Sequence, residues 1–245
     1  MKALLVRVGV DQAYGGWNAP VDAAGRFVYV PIPEPPGTRF HPGLERQYAE
    51  VLPALRRFCR AHDRDPEAGL GFPPDLLDRS MHLDPDFACL TYGDVGSRRG
   101  ARMVGMAAGD LLVFYAGLRP VHPCGHTLVY ALTGLYVVRD VTPAAAVPAD
   151  RWHENAHVRR ARLGPTDIVV RAEPGVSGRF ERCVPIGEWR AGAYRVRPDV
   201  LAAWGGLSVK DGYIQRSAVP PAFTRPKSFL GWLRKQGVQL VPRNN

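Results

Sequence analysis

The chain has 245 residues, 46% of them apolar and 22% charged, ordinary values for a globular protein able to bury roughly three-quarters of its surface. Its net charge of +9 favours polyanionic partners by long-range attraction, although only four of the 32 cationic residues are lysine, an arginine bias that a GC-rich genome also produces. No apolar run approaches the ~20 residues needed to cross a bilayer, and Arg7 and Asp11 cut the opening apolar stretch too short for a signal sequence.

In chain order, residues 3–8 read as a strand, 11–18 as a glycine-rich turn and 27–30 as a second strand. Pro31, Pro33, Pro35 and Pro36 end that strand, because proline cannot donate to a ladder. Leu44, Tyr48, Val51, Leu52, Leu55, Phe58 and Cys59 then recur at helical spacing, with Pro53 predicting a kink. Residues 63–86 read as a loop holding one helical turn. Five segments rich in β-branched and aromatic residues follow, at 87–91, 111–115, 128–138, 167–171 and 182–186. The alanine-rich stretch 142–161 predicts a helix. KSFLGWLRKQG near the end predicts another, closed by Gly237. The expectation is one α+β domain over 1–245, with a curved or barrel-like mixed sheet flanked by helices.

Several constellations could carry chemistry. In the turn at 11–18, Gly15 and Gly16 allow close backbone approach, and Tyr14 and Trp17 beside them could sandwich a planar base. Asn18 could bond a base edge, and Asp11 could act as a general base. A hairpin turn whose aromatics pad the core explains the same residues. TYGDVGSRRGAR, read as a turn, combines Tyr92 and Asp94 with Arg98, Arg99 and Arg102, a phosphate cradle or a solvated basic loop. It lacks the GK[ST] ending of a P-loop. Tyr115, Ser177, Arg179, His157 and Arg159 complete the candidate nucleotide contacts, with Asp11, Asp94 and His157 the candidate catalytic groups.

Two histidine motifs invite a metal reading. His153-Glu154-Asn155-Ala156-His157 matches HExxH, but Arg151, Arg159, Arg160 and Arg162 crowd it and no third ligand stands out. His122, Cys124 and His126 form an HPCGH loop without a second ligand arm. Neither pattern calls for a metal, and no cofactor is expected. The four cysteines are widely spaced with no CxxC pair, which suits a reducing cytoplasm without disulfides.

MKALLVRVGVDQAYGGWNAPVD and GRFVYVPIPE, with TYGD at 91–94, GDLLVFYAGL at 109–118 and VVRAEPGVSGRF further on, resemble the nucleotide modification associated domain 3 family. That resemblance implies an α+β domain associated with modified nucleotides in prokaryotes and their viruses, with no established catalytic mechanism. GDLLVFYAGL and LVYALTGLYVVRDV are also similar to strand pairs of PUA-like domains, which hold one base in an aromatic pocket. Three functions follow: a module clamping one modified or flipped nucleotide of a nucleic acid, an enzyme using an aspartate base on a nucleotide, or an interaction protein with a basic surface.

Overall fold

Successive side chains along residues 111–116 point to opposite faces, and both sets are apolar. Leu111, Val113 and Tyr115 enter one core, while Leu112, Phe114 and Ala116 enter another. A strand buried on both faces must be covered on both. The computed structural model, which describes residues 1–62, 71–97, 99–216 and 219–245, has that form.

The chain runs β1 (Ala3–Arg7), β2 (Pro20–Val21), β3 (Ile32–Pro33), α1 (Leu52–Arg60), α2 (Pro74–Leu77), β4 (Met81–His82), β5 (Thr91–Val95), β6 (Leu111–Pro120) and β7 (Val129–Pro143). It continues through α3 (Ala156–Arg159), β8 (Asp167–Ala172), β9 (Gly178–Pro185), β10 (Gly187–Arg190), β11 (Ala193–Val196), α4 (Pro198–Trp204), α5 (Pro226–Lys235) and β12 (Leu240–Val241). The large sheet is ordered β1-β6-β7-β8-β5, with β2 on β6, β9 on β7 and β12 on β9. β1 lies parallel to β6, with Leu4 opposite Leu112, and the β6-β7-β8-β5 ladder is antiparallel. Register shifts at Phe114/Tyr115 and Val138/Asp140 bend the sheet.

The result is the expected α+β arrangement of one large mixed sheet with flanking helices, but the sheet is not closed into a barrel. β1 and β5, at the two ends of the path, do not pair. The gap between them is where the cavity described below lies. One core is covered by the 3-10 turn at Tyr48–Glu50, α1 and the loops around Trp17 and Phe87, the other by α4 and α5. No helix of the described residues is long and apolar enough to cross a membrane.

Several local expectations need correction. Residues 87–90 form a turn with Leu90 at φ +54, so the strand is β5, Thr91–Val95, and TYGD is strand rather than turn. Residues 27–30 are extended and tied by Val10 N–H donating to the Val30 carbonyl at 2.8 Å, but form no ladder strand. Pro53 starts α1 instead of kinking it, because its missing N–H falls in the first turn, where no partner is required. The alanine-rich stretch is not one helix: β7 runs on to Pro143, and Pro148 and an extended Asn155 (φ −145, ψ 147) divide the remainder into three short pieces.

Candidate functional site

The N-terminal turn is organised by one carboxylate. Asp11 accepts the backbone N–H groups of Ala13 (2.7 Å) and Tyr14 (2.9 Å), the pattern of an Asx turn, and pairs with Arg7 at 2.8 Å. Gly15 continues the turn at φ +99, where a Cβ would stand 2.5 Å from Val10 Cγ2, so the position requires glycine. The turn leaves Tyr14 59% exposed at a cavity of about 920 Å³.

Both sheet edges line that cavity: Arg7, Val8 and Gly9 from the end of β1, and Tyr92 to Val95 from β5. Tyr92 donates its hydroxyl to Asp94 at 2.9 Å. Arg99 bridges the gap, donating to the Arg7 carbonyl and standing 3.5 Å from Asp94. Burial, opposed by the Arg99 charge, raises the Tyr92 phenol well above its ordinary value, so it remains a neutral donor.

The cavity also takes in His82, Asp84 and His157, each held from behind. Asp84 accepts the Gly93 N–H (2.7 Å to Oδ2 and 3.0 Å to Oδ1) and the Asn155 amide (3.3 Å). His82 Nδ1 lies 2.8 Å from Glu34 Oε1, and Arg160 fixes Glu34 through Oε2 at 2.7 Å. Arg160 also stands 3.0 Å from His82 Nδ1, but that nitrogen cannot accept while donating to Glu34, so the carboxylate is its partner. His157 Nδ1 lies 2.9 Å from Asp167 Oδ2, and its ring lies close against the bare backbone of Gly93, where a Cβ would stand 2.5 Å from His157 Cδ2. The ligand-capable atoms of His82, Asp84 and His157 all lie within 4.8 Å of one another.

Burial sets the charge states here. It drives His82 down to about 4 against the opposing pull of Glu34, so the ring is neutral. Asp84 is pushed well above the usual carboxylate range by burial, with the Gly93 N–H only partly offsetting this and the Asp94 charge adding to it. Glu34 and Asp167 behave oppositely. Burial would raise each, but the bonds to His82 and Arg160, and to His157, hold them low and ionised.

Charge is layered. Arg7, Arg79, Arg99, Arg160 and Arg216 are partly or fully exposed around the cavity, while Asp11, Glu34, Asp84 and Asp94 are buried in it. A second, smaller cavity of about 280 Å³ beside Asn244 and Asn245 has no histidine, cysteine or aspartate in its lining.

The cavity therefore gathers Asp11, Tyr14, Tyr92, Asp94 and His157 from the residues expected by sequence. The others lie elsewhere. Gly16 follows the turn with open space around it, Trp17 is buried edge-on against Phe72, and Asn18 donates to the Gly117 carbonyl at 2.8 Å. Tyr115 is buried and donates to the Ile214 carbonyl, Arg159 pairs with Asp86 at 2.6 Å, and Ser177 accepts the Val137 N–H. Arg179 stacks over Phe27, and burial lowers its guanidinium to about 10. Arg98 lies outside the described residues. His153, the first histidine of HENAH, is exposed, and neither it nor any residue of HPCGH lines the cavity.

His82, Asp84 and Glu34 were not singled out by sequence, although a signal was present. In an extended segment residues two apart share a side, which places His82 and Asp84 of HLD together. The nucleotide modification associated domain 3 model matches residues 2–217, a span containing every residue of this cavity. The chain belongs to that family. Membership indicates involvement in nucleotide modification, and places α5 and β12 beyond the matched span. No match was found among curated proteins or among solved structures.

Proposed function

We propose that this member of the nucleotide modification associated domain 3 family binds one nucleotide, free or flipped from nucleic acid, in the cavity between its sheet edges. The observation that carries the reading is the layering of charge: partly or fully exposed guanidinium groups ring an interior of buried carboxyl groups and imidazoles. Arginine forks match phosphate oxygens, so the phosphate belongs at the rim. Base or sugar then points inward, with Tyr14 as the exposed stacking surface. A volume of about 920 Å³ lies within the ~300–1,000 Å³ usual for small-molecule sites. Residues 1–245 act here as one unit, because both cores pack on opposite faces of one sheet.

A second reading makes the cavity catalytic. What favours it is the concentration of buried, perturbed titratable groups at one place, which simple retention of a nucleotide does not require.

Fluorescence anisotropy with single- and double-stranded DNA and RNA, plain and base-modified, tests the first reading at two salt concentrations. Tyr14→Ala is expected to weaken base-dependent binding about 5- to 150-fold, the equivalent of ~1–3 kcal/mol of stacking, without altering the fold. Arg216→Ala is expected to reduce the salt dependence instead. Uniform binding that ignores Tyr14 and disappears at higher salt would leave only a basic surface. Nucleoside composition by mass spectrometry after incubation addresses the catalytic reading.

A further inference from the structure

We propose that His82, Asp84 and His157 form a binding site for one divalent first-row transition metal ion, ligated by the two imidazole Nε2 atoms and a carboxylate oxygen. Hydrogen-bond bookkeeping leads there. Nδ1 of His82 lies 2.8 Å from Glu34 Oε1 and Nδ1 of His157 lies 2.9 Å from Asp167 Oδ2, contacts in which each ring donates Nδ1–H to a carboxyl oxygen. In that tautomer each ring turns Nε2 to its other side, where it can serve as a metal ligand.

Both Nε2 atoms approach the same carboxyl group. His82 Nε2 stands 3.7 Å and His157 Nε2 3.8 Å from Asp84 Oδ2, beyond hydrogen-bonding range. Two imidazole nitrogens and a carboxyl oxygen thus converge within 4.8 Å of one another, in an interior where Asp84 and His157 are buried and His82 nearly so. A cation resolves that arrangement. Metal–ligand bonds of ~2.0–2.2 Å put tetrahedral ligands about 3.4 Å apart, so seating an ion draws these atoms together by no more than about 1.4 Å.

The surroundings have the form of a metal site's outer layer. A ligating histidine commonly donates its other N–H to a carboxylate, which fixes the tautomer and aims the ring. Here both histidines do so, Glu34 is further anchored by Arg160, and Asp84 is steadied by Gly93 and Asn155. Gly93 also lets the His157 ring approach the strand, because any Cβ would meet it.

Ligand chemistry selects the class of metal. Two imidazoles and one carboxylate suit zinc, iron(II), cobalt(II) or manganese(II), whereas calcium and magnesium prefer oxygen ligands throughout. Three protein ligands leave further coordination positions open, and those face the cavity proposed to hold the nucleotide. The metal site itself does not depend on the identity of that ligand.

The test is cobalt(II) titration of the chelator-treated full chain, followed by visible d–d absorption. One equivalent is expected to bind. His82→Gln or His157→Gln should abolish that uptake, Asp167→Asn should weaken it about 10- to 100-fold, and His153→Ala should leave it unchanged. Circular dichroism reports whether each variant folds. A measurement on the unmutated chain guards against variants that do not: ¹⁵N-histidine spectra with zinc should shift two of the seven histidines, at Nε2, with Nδ1 still protonated. The proposal is overturned if no first-row ion binds, if uptake survives both glutamine variants, or if other histidines respond.

Discussion

The cavity between the sheet edges and the aromatic cap beneath α4 and α5 are built on opposite principles. In the cap, Trp204 meets Phe223, Phe229 and Trp232 at ring separations of 5.1–5.5 Å, and apolar area removed from water supplies the stability. Around the cavity, the buried polar groups are charged or titratable, and each is held by specific partners. Loss of packing should therefore cost the cap stability, whereas small geometric disturbances should cost the cavity function.

The largest expected effect breaks the cap. Phe229 is fully buried, and Phe229→Ala should destabilise the protein by about 3–5 kcal/mol in chemical denaturation. Because α5 lies beyond the matched family span, that loss would make the segment part of the core. Nucleotide affinity of the folded fraction should be unchanged. A loss under 1 kcal/mol would mean that the cap is an appendage.

Gly93→Ala reverses the pattern. The new methyl would stand 2.5 Å from His157 Cδ2 and 2.7 Å from Asn155 Oδ1, so the His157 ring must move. Overpacking of this kind costs roughly 1–3 kcal/mol, less than Phe229→Ala. Its effect on the His82, Asp84 and His157 cluster, the floor of the cavity, should be larger, with cobalt uptake lost while the fold survives. Uptake equal to wild type would show that the floor tolerates movement.

The cap was far more legible in the sequence than the cavity, for a physical reason. The predicted C-terminal helix emerges as α5, with Gly237 at φ +62 just past its end, because helical periodicity and C-terminal stops are local. The strands containing Leu111 and Val129 were legible for the same reason. The cavity floor joins Glu34, His82, Asp84, His157 and Asp167, which are separated by up to 133 residues, and no local pattern encodes that meeting. HENAH pointed to His157 through a spacing that assumed one helix, but extended Asn155 interrupts it, and the partners of His157 are Asp84 and Asp167 rather than His153. Trp17 illustrates the converse. Its place beside two glycines suggested an exposed stacking ring, yet tertiary packing buries it against Phe72.

The smallest effect sharpens the comparison through acid. Glu154, in the 3-10 piece Ala149–Glu154 leading to His157, bonds Arg151 at 2.5 Å and Arg171 at 3.1 Å. Burial would raise its carboxyl, but those two guanidinium groups outweigh burial and hold it below its ordinary value of 4.5. A carboxylate depressed on folding stabilises the protein above its unfolded value, and loses that contribution as pH falls through the folded one. Glu154→Gln should therefore cost about 0.5–1 kcal/mol at pH 7, since the pair is partly open to solvent. The difference from wild type should shrink as pH falls below 4.5 and vanish once pH is below the depressed folded value. Denaturation at both ends of that range measures the gap. Hydrogen exchange should then show amides of residues 149–160 losing protection in acid before those of α5, because aromatic packing contains nothing to titrate. Simultaneous loss in both regions would mean that the two are one cooperative unit despite their different chemistry.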